Sequence, residues 1–138
     1  MIHVGMNIAD KTALFGQVRR ILKPGGLFAI FDIMRGANGP FRFPVPWALT
    51  EETSFVAETK EYGDELEAAG FHVTHQRSRR AFAVEFTAKN IACVAQGGPP
   101  TLGIHLLVGG AAKPMIQNVL AMFEEGILDP VELCAAAV

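Results

Sequence analysis

The stretch Arg19–Asp32, RRILKPGGLFAIFD, joins the end of an amphipathic helix to the start of a strand, and its reading decides the fold. Pro24 has no amide to continue a helical ladder, and Gly25 and Gly26 give the backbone freedom to reverse within three residues. Leu27 to Phe31 is then continuously apolar, the mark of a strand buried on both faces, and Asp32 is its first charged residue. Upstream, Leu14, Phe15, Val18, Ile21 and Leu22 form one apolar stripe at helical spacing, with Lys11, Gln17, Arg19 and Arg20 on the other face. Asp10 precedes the stripe and suits an N-cap, because its carboxylate can accept an orphan amide of the first turn. A surface helix feeding a buried strand indicates an α/β chain.

Further from this centre the signals are of mixed strength. Ile2 to Met6 is a short apolar start. Arg35 to Leu49 interleaves Gly36, Gly39, Pro40, Pro44 and Pro46 with Phe41, Phe43 and Trp47, so it reads as a long aromatic-rich loop, either a binding segment or a loop packed on its own rings. Thr59 can cap a helix through Ala69, with Tyr62, Leu66 and Ala69 on one face and Gly70 as its stop. Phe71 to His75 alternates as a strand with Phe71, Val73 and His75 on one side, so His72 and His75 fall on opposite faces. Arg80 to Gln96 reads as a helix, ended by Gly97, Gly98, Pro99 and Pro100. Leu102 to Val108 fits a short helix or a buried strand. Pro114 opens another helix carrying Met115, Ile116, Val119, Leu120 and Phe123, stopped by Gly126, and Val131 to Val138 reads as a final strand.

Length and composition bound the answer. A chain of 138 residues and 14.9 kDa is expected to form a single domain over 1–138. Half of its residues are hydrophobic and 19% charged, with 10 Phe and a mean hydropathy of +0.27, which excludes a disordered chain and leaves apolar surface for a partner to cover. A formal net charge of −2 without a block of one sign argues against a nucleic-acid partner. Cys93 and Cys134 lack zinc-site or disulfide-framework spacing, so no metal is expected and the compartment reads as reducing. The apolar runs Leu27–Phe31 and Leu102–Ala112 are shorter than the roughly 18 residues of a membrane span. With no signal-peptide pattern at the start, the expected location is cytoplasmic.

The run His3, Val4, then Asp10, Lys11, then Arg19 to Leu27, ending at Asp32, resembles the second half of class I S-adenosylmethionine-dependent methyltransferases, where "H…D…RILKPGG…D" covers strand 4, the next helix and strand 5. Leu66 to Phe71, LEAAGF, matches the "LxxAGF" before strand 6 of that family, whose small-molecule members include sarcosine/dimethylglycine and ubiquinone/menaquinone enzymes. The resemblance implies a partial Rossmann-like methyltransferase fold lacking the first strands, with a mixed sheet in the order 4-5-7-6 and a helical insertion before the last strand. It implies S-adenosylmethionine as cofactor. The family's ExGxGxG turn and the acid at the end of strand 2 have no counterpart here, so the chain is not expected to complete a cofactor site alone. An interior strand at the start of the chain would then seek a neighbour. The expected partner is a second copy or a separate N-terminal half, joined through residues 1–6 and the neighbouring helix.

The resemblance also implies site residues. His3 and Asp32 would lie at the carboxyl ends of strands, where open α/β sheets bind ligands. His3 is the candidate base and, with Val4, a candidate cofactor contact, although a histidine at a strand end also serves structure. Asp32 would face the methyl acceptor or cap the following loop. Trp47, with Phe41 and Phe43, could wall an alkylated amine or pack in the core. His105, in the helical insertion, is the third substrate candidate, with a buried structural histidine as the alternative. The expected activity is methyl transfer to a small molecule; the alternative is a fragment that binds ligands or partners without turnover.

Overall fold

The computed structural model describes all 138 residues. Its order is α1 (Lys11–Ile21), β1 (Leu27–Arg35), α2 (Thr59–Ala68), β2 (Phe71–Ser78), α3 (Arg80–Gly97), α4 (His105–Val108), α5 (Ala112–Glu124) and β3 (Leu128–Ala137), with 3-10 turns at Gly5–Asn7, Glu51–Thr53 and Gly109–Ala111. β3 lies in the centre of the sheet, antiparallel to β1 from Leu27↔Ala136 to Arg35↔Leu128 and to β2 from Phe71↔Ala137 to Ser78↔Val131. On the far side of β1, Ile2 makes a single parallel bridge to Phe31. The order across the sheet is therefore N-terminal segment, β1, β3, β2, which is the 4-5-7-6 order that the resemblance implies.

Two crossovers, from the N-terminal segment through α1 to β1 and from β1 through α2 to β2, step the same way across the sheet. Right-handed crossovers of one direction place both helices on one face. There Phe15, Tyr62 and Leu66 meet Phe28, Ile30, Met34, Phe71, Val131, Leu133 and Ala135 in the larger core. The other face receives α5 and the loop after β1, but only at the carboxyl end of β1, where Ile33, Val45, Ala48, Val119, Met122, Phe123 and Leu128 form a second core. Leu27, 74% exposed, and Ala29 on that face have no cover. The expectation of a strand buried on both faces thus holds only for its second half, because no element crosses the first.

Local signals set most element ends. The Asp10 carboxylate accepts from the Ala13 amide at 2.7 Å, the cap the sequence suggests. Gly25 closes the LKPGG turn at φ +75°, a conformation that side chains disfavour. Several expectations are corrected. β1 runs past Asp32 to Arg35, so Asp32 lies inside the strand. Ile21 is exposed and Lys11 is buried, the reverse of their expected faces. Glu58 takes the N-cap position of α2 without a side-chain cap, and Thr59 is already helical. A bulge between Val73 and His75 opposes His72 to Ala136 and His75 to Cys134, so the two histidines share the uncovered face. Leu102–Val108 resolves as a turn and the short helix α4.

β3 begins before Pro130, in the middle of the sheet. This is tolerated because the Pro130 carbonyl accepts from Arg79 N (2.7 Å), so its missing amide points to the same side, beyond the end of β2. His105–Glu124 is long and apolar enough to cross a membrane by length and composition, which the separate sequence runs did not suggest. Within it α5 turns one face, Met115, Val119, Met122 and Phe123, into the interior, while Leu106 and Leu107 of α4 are exposed.

Candidate functional site

An open cleft of about 530 Å3 lies at the carboxyl end of β1, lined by His3, Met6, Asn7, Ile33, Pro46 and Trp47. Three segments converge there: the N-terminal turn, the strand and the aromatic loop. His3 is held to β1 by its amide, which donates to Phe31 O (2.8 Å), while Phe31 N donates to Met1 O (2.9 Å). Its φ of +51° is left-handed, which costs a side-chain-bearing residue about 1–2 kcal/mol and turns the chain abruptly off the sheet edge. The imidazole is exposed and rests 5.0 Å from the Phe31 ring.

Trp47 is set from the loop side. Val45 and Ala48 exchange backbone hydrogen bonds and are both buried. The Trp47 indole N–H donates to Ser54 Oγ (3.0 Å), fixing the ring plane. The Arg42 guanidinium pairs with both Glu125 oxygens at 2.7 Å, and Asn118 Nδ2 donates to Pro44 O (3.0 Å). Phe41, Phe43 and Trp47 all pack partly on the second core; of the three only Trp47 lines the cleft, while Phe41 and Phe43 line the smaller pocket beside Arg35.

Asp32 is enclosed. It has no exposed surface, its Oδ2 accepts from the Tyr62 hydroxyl at 2.8 Å, and its Oδ1 accepts from Ile33 N at 3.1 Å. Burial pushes its carboxyl above the usual range, against the hydrogen bonds from Tyr62, Ile33 and Gly5 and the nearby His3. Burial, and then the neighbouring carboxylate, push the Tyr62 phenol up as well, so the phenol keeps its proton and serves as donor. Gly5 lies directly over this pair: a Cβ there would sit 2.3 Å from Tyr62 Oη and 2.4 Å from Asp32 Oδ2. Nearby, Lys11 is also buried, its Nζ donating to Ile8 O (2.6 Å) and Phe55 O (2.8 Å), and burial lowers its pKa against the pull of Glu61 and Asp32.

Of the residues singled out from the sequence, the structure brings His3 and Trp47 together in one cleft. Val4, 40% exposed, is not among the residues that line it. Asp32 does not open into the cleft, since its side chain points to the α2 face and is occupied by donors. His105 starts α4 and lines neither this cleft nor the smaller pocket beside Arg35. Sequence reasoning missed Met6, Asn7, Tyr62 and Lys11. Only Gly5 signals them locally, as a glycine where no turn type requires one. No group of three or more His, Cys, Asp or Glu side chains could hold a metal ion.

No protein-family model and no curated protein matches the chain. Solved structures do. A protein assigned as a sarcosine dimethylglycine methyltransferase from Galdieria sulphuraria superposes with a TM-score of 0.75 at 17% identity, over 98% of this chain and 50% of that one. The geranyl diphosphate C-methyltransferase of Streptomyces coelicolor A3(2), solved with Mg2+, geranyl diphosphate and S-adenosyl-L-homocysteine, gives 0.68 at 14% identity, over 99% and 44%. The [4+2]-cyclase SpnF gives 0.56 at 16% identity, over 99% and 47%. The chain thus spans about half the length of the solved structures it matches. Superposition over nearly the whole chain shows that it has about half of the fold of these proteins, and its sheet has the 4-5-7-6 order that the resemblance implies.

Proposed function

We propose that this chain forms the acceptor side of a small-molecule, S-adenosylmethionine-dependent methyltransferase, and that the cofactor side is supplied by another segment or chain. The observation that carries the reading is the cleft itself. It lies at the carboxyl end of β1 beside an unpaired sheet edge, walled by Trp47 and Ile33 and carrying His3 and Asn7 as its polar groups. Methyl transfer is an in-line displacement, so the protein must align the acceptor, exclude water and, for a protonated acceptor, remove a proton. In this reading His3 takes that proton and Trp47 gives an aromatic face to an alkylated amine; their common place in the cleft supports it.

The residues present do not meet the needs of the cofactor by themselves. Its ribose hydroxyls call for a carboxylate acceptor, but no Asp or Glu lines the cleft, and Asp32, next to Ile33 in β1, is enclosed and occupied. A second copy of the chain could border the edge at residues 1–6, but it also lacks a glycine-rich turn. The reading therefore favours an N-terminal half as the partner, joined along Ile2–Val4, whose exposed side chains border the bridge to β1. Free, separate Cys93 and Cys134 agree with a reducing, cytoplasmic setting.

Calorimetric titration with S-adenosylhomocysteine tests both parts. The isolated chain should give no heat at millimolar ligand. A fusion carrying the unmatched half of the Galdieria protein ahead of Met1 should bind at micromolar concentration. Micromolar binding by the chain alone would overturn the division of labour. A folded fusion that does not bind would overturn the methyltransferase reading in favour of a non-catalytic module.

A further inference from the structure

The Asp32 carboxylate, the Tyr62 hydroxyl and Gly5 meet where three separate segments touch: β1, α2 and the N-terminal 3-10 turn. Everything the N-terminal segment contributes to the cleft, His3, Met6 and Asn7, rides on that turn. The turn's own bonds run from Asn7 N to Val4 O and from Ile8 N to Gly5 O, both 2.9 Å; outside it, Phe55 N donates to Met6 O (2.9 Å), Lys11 Nζ donates to Ile8 O (2.6 Å), and the preceding residues join β1 at the Ile2 bridge. These bonds fasten the turn on its Met6–Ile8 side, and the Asp32–Tyr62 pair lies under Gly5 on the other. His3 is held there in a left-handed backbone that the local sequence does not favour, so the surrounding contacts must impose it.

We infer that Asp32 and Tyr62 are positioning residues: together they form a latch that seats the Gly5–Asn7 turn and so holds His3 at the wall of the cleft. The absence of a side chain at Gly5 lets the turn descend onto the carboxylate and phenol, since any Cβ would strike both oxygens. Met6 then enters the second core beside Ile33 and completes the seat. The latch connects α2, which lies on the covered face of the sheet, to a cleft at its end, so a change in α2 is transmitted to His3 through two hydrogen-bonded oxygens. This inference concerns the isolated chain and stands apart from the methyltransferase reading.

Amide hydrogen exchange and the His3 imidazole resonance, measured by NMR on the full chain, test it. Tyr62→Phe removes one oxygen and keeps the ring that packs on Phe15. The amides of His3, Asn7 and Ile8 should lose about tenfold more protection than that of Ile30 in the β1–β3 ladder, and the His3 signal should move toward that of an unstructured peptide. Val73→Ala, which trims the core away from the turn, should lower all four amides together and leave the His3 signal in place. Asp32→Asn, isosteric with the native side chain, should reproduce the Tyr62→Phe pattern, because its amide group turns a donor toward a backbone N–H. Unchanged relative protection in both latch variants, or a His3 signal that moves equally in Val73→Ala, would overturn the inference.

Discussion

Replacing Lys11 by Met should destabilise the chain, although it removes a buried charge. Lys11 is only 4% exposed, and its ammonium is the donor for two backbone carbonyls, Ile8 O at 2.6 Å and Phe55 O at 2.8 Å, that belong to segments far apart in the chain. Methionine fills the stem volume but leaves both acceptors unpaired, at about 1–3 kcal/mol each. Relief of the ammonium's desolvation offsets part of that cost. A net loss of about 2 kcal/mol follows. With an unfolding entropy near 2.1 cal/mol/K per residue, this corresponds to roughly 7 °C in Tm, measured by calorimetry at pH 7. The pH dependence gives an independent check. Burial lowers the Lys11 pKa below its ordinary 10.5, so between the folded and unfolded values the unfolded chain binds more protons and stability rises with pH. The neutral amine still donates two hydrogen bonds, so the wild-type advantage over Lys11→Met should widen from pH 7 toward pH 10. A variant as stable as the wild type at pH 7, or a gap that narrows with alkalinity, would show that the ammonium costs more than its two bonds return.

Four further outcomes follow from the geometry. Gly5→Ala drives a methyl group into Tyr62 Oη and Asp32 Oδ2 and should cost about 1–3 kcal/mol by overpacking, read as a lowered urea midpoint. Phe15→Ala empties a fully buried site between Phe28 and Tyr62 and should cost about 3–5 kcal/mol, enough to leave a marginal domain largely unfolded. Because burial raises the Asp32 pKa above its unfolded value of 3.8, its contribution is largest below that value and is lost as pH rises through the folded one; the Tm of wild type relative to Asp32→Asn should therefore increase as pH is lowered from 7 to 4. Leu27→Asp on the uncovered sheet face should shift stability by less than about 0.5 kcal/mol in the free chain, and light scattering after size-exclusion chromatography will show whether it dissolves an association that the wild type makes.

The parts of the fold that were legible in the sequence are those whose physics is local. Asp10 caps α1 with its own carboxylate, Gly25 takes the positive φ that ends the LKPGG turn, and Gly126 stops α5 in the same way. Tyr62 and Leu66, four apart on α2, both reach the core. The corrections lie where a distant segment decides. Lys11 looks like a surface residue at helical spacing and is buried because Phe55, 44 residues away, presents a carbonyl to it. Asp32 reads as the end of a strand, yet β1 continues because β3 supplies partners as far as Arg35. Strict alternation puts His72 and His75 on opposite faces, but one bulge, invisible to a period of two, brings them to the same one.

The cleft follows the same division. Trp47 stands out as an aromatic in a loop rich in Gly and Pro, whereas Met6 and Asn7 carry no signal before the turn is seen. The uncovered face is legible only from connectivity. Both crossovers step in one direction, so α1 and α2 must share a face, and the opposite face over Leu27 and Ala29 can be closed only by an element outside these crossovers. The sheet edge at Ile2 is open beside that same face. A segment that extended the sheet past Ile2 and returned across Leu27 would close both openings at once. Under the proposed function, one contiguous segment would therefore serve both openings.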